Sequence, residues 1–278
     1  MEKMDCLNQF GKYTFNKKKI KEFVPQNVYN AYCQLIEENK PMPKEEMDIF
    51  TENMKKWALD MGATHYTHWF SSLNGMSAEK HQAFLELEGI EPLYKFNSSD
   101  LLKGESDASS FPSGGLRTTY KAGGYTTWDY RSYSFVKDNT LYIPSLFYSS
   151  NGEALDYKTH LLMSCNSLNQ SVTKLLSIIG KRVNRVDSFV GVEQEYFLIK
   201  ENDYNKRIDI QFTGRTLYGK PHPKTQDQVE HYYSSIKENI RDFMSKLDAE
   251  LWKYGIPSKT KHNEAAPNQF EVVCIYTL

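Results

Sequence analysis

The sequence predicts an α+β protein, in which helices and strands occupy separate stretches of the chain. Three observations support this class. Two N-terminal segments space their apolar residues at helical intervals, residues 63–160 are rich in residue types that favour strands, and the C-terminal part alternates strand-like segments with helical ones.

Two helices are predicted to open the molecule. The first covers residues 26–39, "QNVYNAYCQLIEEN", and the second begins at about Pro43, with Trp57 on its apolar face. Gly62 is predicted to end the second helix, because glycine readily adopts the left-handed conformation that follows a helix.

Residues 63–160 are predicted to form a small sheet. The segments "THYTHWF", "GGYTTWDY" and "TLYIPSLFYS" are rich in threonine and aromatic residues, which fit pleated surfaces. Between them, "GESDASSFPSGGLR" has the glycine and serine content of a loop. On a strand, His65 and His68 point to opposite faces, so they make a poor metal-binding pair.

The C-terminal part is predicted to contain two helices and two strands. A helix over residues 166–180 ends at Gly180, and a strand follows at residues 187–199. A long amphipathic helix is expected from about Gln226 to Tyr254, roughly 40 Å in length. The final segment, "NQFEVVCIYTL", has the apolar character of a strand in a sheet interior.

The composition argues against several functional classes. The 278 residues include 34 Lys and Arg against 35 Asp and Glu, so the net charge of −1 gives no basic field for nucleic acid or an anionic membrane. The four cysteines lie far apart, which disfavours a zinc ribbon or a disulfide framework and suits reduced thiols. No segment has the length and apolarity of a signal peptide or membrane span, so we expect a cytoplasmic protein.

The segment "GVEQEYFLIK" carries two glutamates on one face of its predicted strand. Glu193 and Glu195 lie there with Phe197. Two carboxylates about 4 Å apart repel by roughly 4 kcal/mol at an effective dielectric constant of 20. Either water separates them on a half-solvated strand, or a hard cation such as Mg²⁺ or Mn²⁺ cancels the repulsion.

A second acidic cluster occurs in "KHNEAAPNQFE". Glu264 and Glu271 flank Pro267, which excludes a regular helix and disfavours a central strand. The backbone must therefore bend, so the two carboxylates can point to a common position. A solvated loop is the alternative interpretation of this spacing.

The segment "GRTLYGKP" imitates a phosphate-binding loop. It satisfies the spacing GxxxxGK, but Pro221 stands where a P-loop has the hydroxyl residue that binds magnesium. A turn is therefore predicted here.

Taken together, several stretches resemble type III glutamine synthetases, the large variant of the glutamate–ammonia ligase family. They are "KKWALDMGATHYTHWF", "GESDASSFPSGGLR", "GYTTWDY", "GEALDYKT", "GVEQEYFLI", "TGRTLYGKP", "ELWKYGIPSKTKHNE" and "APNQFE". They occur in the family's order and cover nearly all of residues 45–276. Val192 and Ala265 depart from the family's usual proline and valine.

The resemblance implies three parts along the chain. Residues 1–62 would form an N-terminal helical segment and residues 63–160 a β-grasp-type domain. Residues 161–278 would form the start of a glutamine synthetase catalytic domain, built on a curved antiparallel sheet.

The resemblance also implies a metal-dependent reaction. In the family, ATP phosphorylates the γ-carboxylate of glutamate and ammonia then displaces the phosphate, so the implied substrates are glutamate, ammonium and ATP. Two divalent ions, Mg²⁺ or Mn²⁺, take part. Glu195, Glu264 and Glu271 match the three carboxylates of the first metal site, and Glu193 matches a ligand of the second.

Two aspartates match the family's ammonium-binding region. Asp107, in "DASSF", resembles the acid that helps to bind and deprotonate ammonium in a neighbouring subunit's site, and Asp129, in "TWD", is the candidate for a second acid there. A carboxylate suits this task, because it attracts a cation and accepts its proton.

The family's remaining metal ligands and substrate-binding arginines lie further along than Leu278, so the resemblance leads us to expect a truncated chain. We expect the isolated chain to be inactive. One hypothesis is a glutamine synthetase whose active form needs further sequence, working as a homo-oligomer. The alternative is a catalytically inactive homologue that co-assembles with full-length glutamine synthetase subunits.

Overall fold

The computed structural model describes residues 6–38, 40–73, 77–105, 124–219 and 231–275. Two compact units divide these residues. One unit is Gly11–Asp187, and the other combines the described residues of Ser188–Leu278 with those of Met1–Phe10. Among the described residues, no helix is long and apolar enough to cross a membrane.

Helices precede the sheet of the first unit, as the periodicity predicts. The first four helices of the chain are α1 (Cys6–Gln9, which belongs to the other unit), α2 (Lys17–Phe23), α3 (Gln26–Glu38) and α4 (Lys44–Asp60). Pro43 caps the start of α4, and Gly62, at φ = 86°, follows its end. The predictions for α3 and α4 are therefore confirmed.

Eight strands follow among the described residues of this unit. They are β1 (His65–Ser71), β2 (Ser77–Ala83), β3 (Leu85–Glu88), β4 (Glu91–Tyr94), β5 (Leu102–Glu105), β6 (Gly124–Trp128), β7 (Phe135–Lys137) and β8 (Thr140–Ser149). A short 3₁₀ turn, Ser98–Leu101, precedes β5. The main sheet has the order β2-β1-β8-β6-β5, with β7 also paired to β8, while β3 and β4 form a separate hairpin.

The pairing within the main sheet is mixed. β1 and β8 are parallel neighbours at its centre, and every other pair in it is antiparallel. The sheet lies within residues 63–160, the range for which a β-grasp-type domain is predicted. The three segments predicted as strands from their threonine and aromatic content are β1, β6 and β8.

Aromatic residues from the helices pack against one face of this sheet. Phe50 of α4 stacks on Tyr32 of α3 at 5.3 Å between ring centroids and lies 5.1 Å from Trp128 of β6. Phe15 contacts both Phe50 and Trp57. All five side chains are buried, so this cluster is the centre of the core.

Helix α5 (Tyr157–Ile178) begins nine residues earlier than predicted. The side chain of Asp156 caps it by accepting a hydrogen bond from the Thr159 amide, and it also accepts one from the Phe147 amide of β8. Asp156 is fully buried. The start is therefore fixed by a cap bound to the sheet, and apolar periodicity does not report such a contact.

The second unit is built around a small antiparallel sheet. Its elements after α1 are β9 (Glu193–Phe197), α6 (Glu201–Tyr204), α7 (Ile208–Thr213), α8 (Glu238–Lys253), β10 (Ser258–Asn263) and β11 (Gln269–Cys274). The strand order is β10-β11-β9. The predicted strands correspond to β9 and β11, whereas β10 was not predicted, because its sequence "SKTKHN" is polar and poor in strand-forming residues.

The prediction of a long helix from Gln226 is wrong over residues 231–237, and residues 226–230 lie outside the described ranges. Helix α8 has 16 residues, which is about 24 Å at 1.5 Å per residue. The preceding segment is bonded to the β10–β11 connection, since His231 bonds the carbonyl of Glu264 and the Asn263 side chain donates to the carbonyl of Ser234. Tyr232 and Tyr233 of this segment are exposed.

Candidate metal centre

The pairing of β9 with β11 places three glutamates on one face of the small sheet. Glu195 lies directly opposite Glu271, and Glu193 lies opposite Val273, two positions along. Directly opposed residues share a face with their Cβ atoms about 5 Å apart. The face that the sequence predicts for Glu193 and Glu195 is therefore the face that carries Glu271.

The connection between β10 and β11 brings Glu264 to the same place. The chain turns through Pro267 and Asn268, and Asn268 adopts φ = 60°. The amide of Glu264 donates to the carbonyl of Gln269, and the amide of Gln269 donates to the carbonyl of Ala266. The bend expected from Pro267 is thus present, and it holds Glu264 beside the start of β11.

Glu264, Glu271 and His262 bring their ligand atoms together. One nitrogen of His262 and one oxygen from each carboxylate all lie within 4.8 Å of one another. Within the described ranges this is the single such group of three. His262 is opposite Glu271 in the β10–β11 pairing, which explains why the three residues share a face.

Partial burial and the proximity of other carboxylates raise the pKa of Glu271. Burial contributes most, followed by the negative charges of Glu264, Glu193 and Glu195, while His262 acts in the opposite direction. The three other predicted metal ligands therefore act electrostatically on Glu271. A cation bound among them would remove this repulsion.

Two residues at this site were not predicted. Gln269, which is buried, donates from Nε2 to Oε2 of Glu195 at 2.6 Å and so fixes one carboxylate. His262 lies two residues before Glu264. On a strand this spacing puts two side chains on one face, so the signal was present but depended on recognising β10.

The opposite face of the sheet packs against α8. Tyr196 of β9 contacts Phe243 of α8 and Phe270 of β11. Asp248 of α8 is buried and accepts a hydrogen bond from the Ser258 hydroxyl of β10. Because α8 covers this face, the carboxylates are on the face that α8 leaves free. Val190 and Val192, which precede β9, are exposed.

The structure describes one of the two predicted catalytic aspartates. Asp107 falls outside the described residues. Asp129 belongs to the first unit, where it is 3% exposed, forms an ion pair with Lys158 and accepts a hydrogen bond from the Arg131 amide. The structure thus shows contacts that fix Asp129 at the end of β6.

The described part of "GRTLYGKP", residues 214–219, is an irregular loop after α7. Asp209 holds it by accepting a hydrogen bond from the Leu217 amide, and Arg207 donates to both Asp209 and the Tyr218 carbonyl. The Arg207 guanidinium holds the pKa of Asp209 well below its usual range. Residues 220 and 221 lie outside the described residues.

The two histidines of β1 are separated as predicted. His65 is exposed, whereas His68 is buried and bonds Ser145 and the carbonyl of Asp100. They do not form a metal-binding pair.

The donor set around Glu271 fits a divalent cation. Carboxylate oxygens are the ligands that Mg²⁺ and Mn²⁺ prefer. Glu264 and Glu271 meet here, and Glu195 lies opposite Glu271 on the same face of the sheet. Glu264 keeps only 13% of its side-chain surface exposed, so part of the site is shielded from water.

Comparison with protein families matches both parts of the chain. The family described as "Glutamine synthetase type III N terminal" matches residues 6–164, and the one described as "Glutamine synthetase, catalytic domain" matches residues 178–277. The chain belongs to the type III glutamine synthetase family. The resemblance found in the sequence motifs is therefore confirmed.

Individual type III glutamine synthetases and related proteins are similar over almost the whole chain. A glutamine synthetase of Bacteroides fragilis is 44% identical over 268 residues, covering 96% of this chain and 37% of the relative. The type-3 glutamine synthetase of Dictyostelium discoideum is 39% identical over 283 residues, covering 99% and 38%. The chain thus spans well under half the length of these relatives.

Among solved structures, a Plasmodium falciparum glutamine synthetase has a TM-score of 0.46 at 12% identity. The match covers 81% of this chain and 44% of that one.

Proposed function

We propose that this chain supplies the metal-binding carboxylates of a glutamine synthetase, which forms glutamine from glutamate and ammonia at the expense of ATP through a γ-glutamyl phosphate. Membership of the type III family supports the reaction. Two observations support the proposal: Glu193, Glu195 and Glu271 share one face of the β10-β11-β9 sheet, and the β10–β11 connection brings a Glu264 carboxylate oxygen within 4.8 Å of one from Glu271.

Each carboxylate has a proposed task. Glu195, Glu264 and Glu271 would hold the first divalent cation, and Glu193 would contribute to the second. Such ions, Mg²⁺ or Mn²⁺, would neutralise charge that develops on the transferred phosphoryl group. The amide of Gln269 keeps Glu195 in position, and the hydrogen bond between His231 and the backbone of Glu264 fixes the start of the turn.

Asp107 and Asp129 remain proposed as the acids that attract and deprotonate ammonium. A carboxylate can attract a cation and accept its proton, and Asp129 already contacts the ammonium group of Lys158. Its burial means that it would act only after rearrangement of that contact.

A second candidate function is association with longer glutamine synthetase subunits without catalysis by this chain. Helix α5 supports it, because none of its 22 residues is buried and its large apolar side chains are exposed. Leu161, Met163, Leu168, Leu175 and Ile178 are all at least 46% exposed. Exposed apolar side chains in this number on one helix are typical of an interaction site.

A chimaera tests the catalytic proposal. This chain would replace the matching segment of the Bacteroides fragilis relative, and glutamine formation from glutamate, ammonium and ATP would be measured. We expect turnover that falls by about a hundredfold or more when Glu195 or Glu264 is changed to glutamine, since each would bind the cation directly. The matched control is Glu250→Gln, on the exposed side of α8.

Assays of the isolated chain help to distinguish the two candidate functions. We expect no glutamine from the chain alone. Co-purification with the full-length relative, combined with an inactive chimaera that is folded, would favour the association function. A chimaera whose turnover survives both glutamate substitutions would contradict the catalytic proposal.

A further inference from the structure

His262 lies at the carboxylate cluster but has no role in the proposed set of metal ligands. It is paired with Glu271 across β10 and β11, and its Nδ1 is 3.8 Å from Oε1 of Glu264. One ligand atom from each of these three residues lies within 4.8 Å of the other two. A cation placed among them would therefore meet one nitrogen and two oxygens.

The imidazole is oriented by its surroundings. The ring of Tyr232 meets the ring of His262 at 4.4 Å between centroids with an interplanar angle of 67°, an edge-to-face contact. His231, which precedes Tyr232 in the chain, forms a hydrogen bond with the backbone carbonyl of Glu264. This bond ties the segment that carries Tyr232 to the turn that follows His262. With 34% of its side chain exposed, His262 is supported by the fold yet reachable by an ion from solvent.

An exposed histidine–glutamate pair elsewhere shows what distinguishes this position. On β2, Nε2 of His81 lies 2.7 Å from Oε2 of Glu79, and both side chains are exposed to a similar degree. Within the described residues that pair has no third ligand near enough to complete a site. The group at His262 differs because a turn and a cross-strand partner add two carboxylates.

The mixed donor set has a consequence for the choice of metal. Mg²⁺, Ca²⁺ and Mn²⁺ all accept carboxylate oxygens as ligands, whereas an imidazole nitrogen favours first-row transition metals. Mg²⁺ is bound through oxygen ligands and keeps several water molecules. We propose that His262 is a direct ligand of the cation held by Glu264 and Glu271, and that it makes this site prefer Mn²⁺ to Mg²⁺.

This inference rests on the proposed function, because it assumes the same metal site, and a binding experiment separates the two. Metal-free chain, reduced and treated with chelator, would be titrated with MnCl₂ and separately with MgCl₂ by calorimetry. We expect His262→Gln to weaken Mn²⁺ binding by at least about tenfold, with Mg²⁺ binding changed by less than about threefold. His81→Gln, the matched control, should leave both affinities unchanged.

A spectroscopic measurement identifies the ligand without any substitution. Pulsed electron paramagnetic resonance of the Mn²⁺-loaded chain detects nuclear modulation from a directly bound imidazole nitrogen. We expect the ¹⁴N pattern in the unaltered chain, its replacement by a ¹⁵N pattern when histidine is isotopically labelled, and its loss in His262→Gln but not in His81→Gln.

The possible failures are distinct. Mn²⁺ bound without a histidine nitrogen signal would overturn the role of His262 and leave the carboxylate site intact. Failure of the chain to bind either metal would overturn both the inference and the proposed metal site. Equal preference for the two metals in the unaltered chain would also contradict the inference.

Discussion

Replacing Glu271 with glutamine is expected to weaken Mn²⁺ binding by about a hundredfold or more, because the substitution removes the carboxylate at the centre of the cluster. The same substitution should stabilise the metal-free protein. Partial burial and three other carboxylates raise the pKa of Glu271, so its charge opposes folding. We expect the free energy of unfolding to rise by about 1 kcal/mol at neutral pH, after allowance for solvent screening.

The predicted stability change depends on pH. A carboxyl group whose pKa is raised in the folded state destabilises that state wherever it is ionised. The penalty is fully present above the raised pKa of Glu271 and fades as the pH falls to the unfolded value, about 4.3. The stability difference between Glu271→Gln and the unaltered chain should therefore be largest near pH 7 and vanish near pH 4.

Urea unfolding in the presence of chelator, followed by circular dichroism, measures this difference. Glu250→Gln is the control, since Glu250 forms an exposed ion pair with Lys253 on α8. Its effect should stay within about 0.5 kcal/mol at every pH. A Glu271→Gln protein that is less stable without metal, or that binds Mn²⁺ normally, would contradict our description of the cluster.

Replacing Phe50 with alanine is expected to have the largest effect on stability. Phe50 is 1% exposed and contacts the rings of Phe15, Tyr32 and Trp128, so its removal opens a cavity where the helices meet the sheet. We expect a loss of about 3–5 kcal/mol in the free energy of unfolding, the range typical of buried Phe→Ala substitutions.

Tryptophan fluorescence during urea unfolding is a suitable measurement, because Trp57 and Trp128 lie in the same cluster. Phe212→Ala is the control, since the side chain of Phe212 is 83% exposed. It should change stability by less than about 0.5 kcal/mol. A loss below about 1 kcal/mol for Phe50→Ala would mean that the aromatic cluster is not the centre of the core.

Local sequence patterns predicted the elements whose stability is decided locally. The apolar periodicity and terminal residues of α3 and α4 agree with the structure, with Pro43 at the start of α4 and Gly62 after its end. The same holds for the alternation that places Glu193 and Glu195 together on β9.

The failures occurred where tertiary contacts override the local pattern. Strand β10 is polar and forms because β11 pairs with it, and α8 starts late because residues 231–234 are bonded to the β10–β11 connection. For the same reason the sequence did not indicate that His262 belongs to the site, since only the pairing of β10 with β11 shows that His262 lies opposite Glu271. Motif resemblance supplied the grouping of the four glutamates, which spacing alone left undecided.

The most direct measurement is a crystal structure of the chain soaked in MnCl₂, with anomalous scattering recorded at the manganese edge. Our account predicts an anomalous peak within about 2.5 Å of carboxylate oxygens of Glu195, Glu264 and Glu271, and a second ion near Glu193. Manganese bound only at unrelated surface positions, with these four side chains directed apart into solvent, would contradict it.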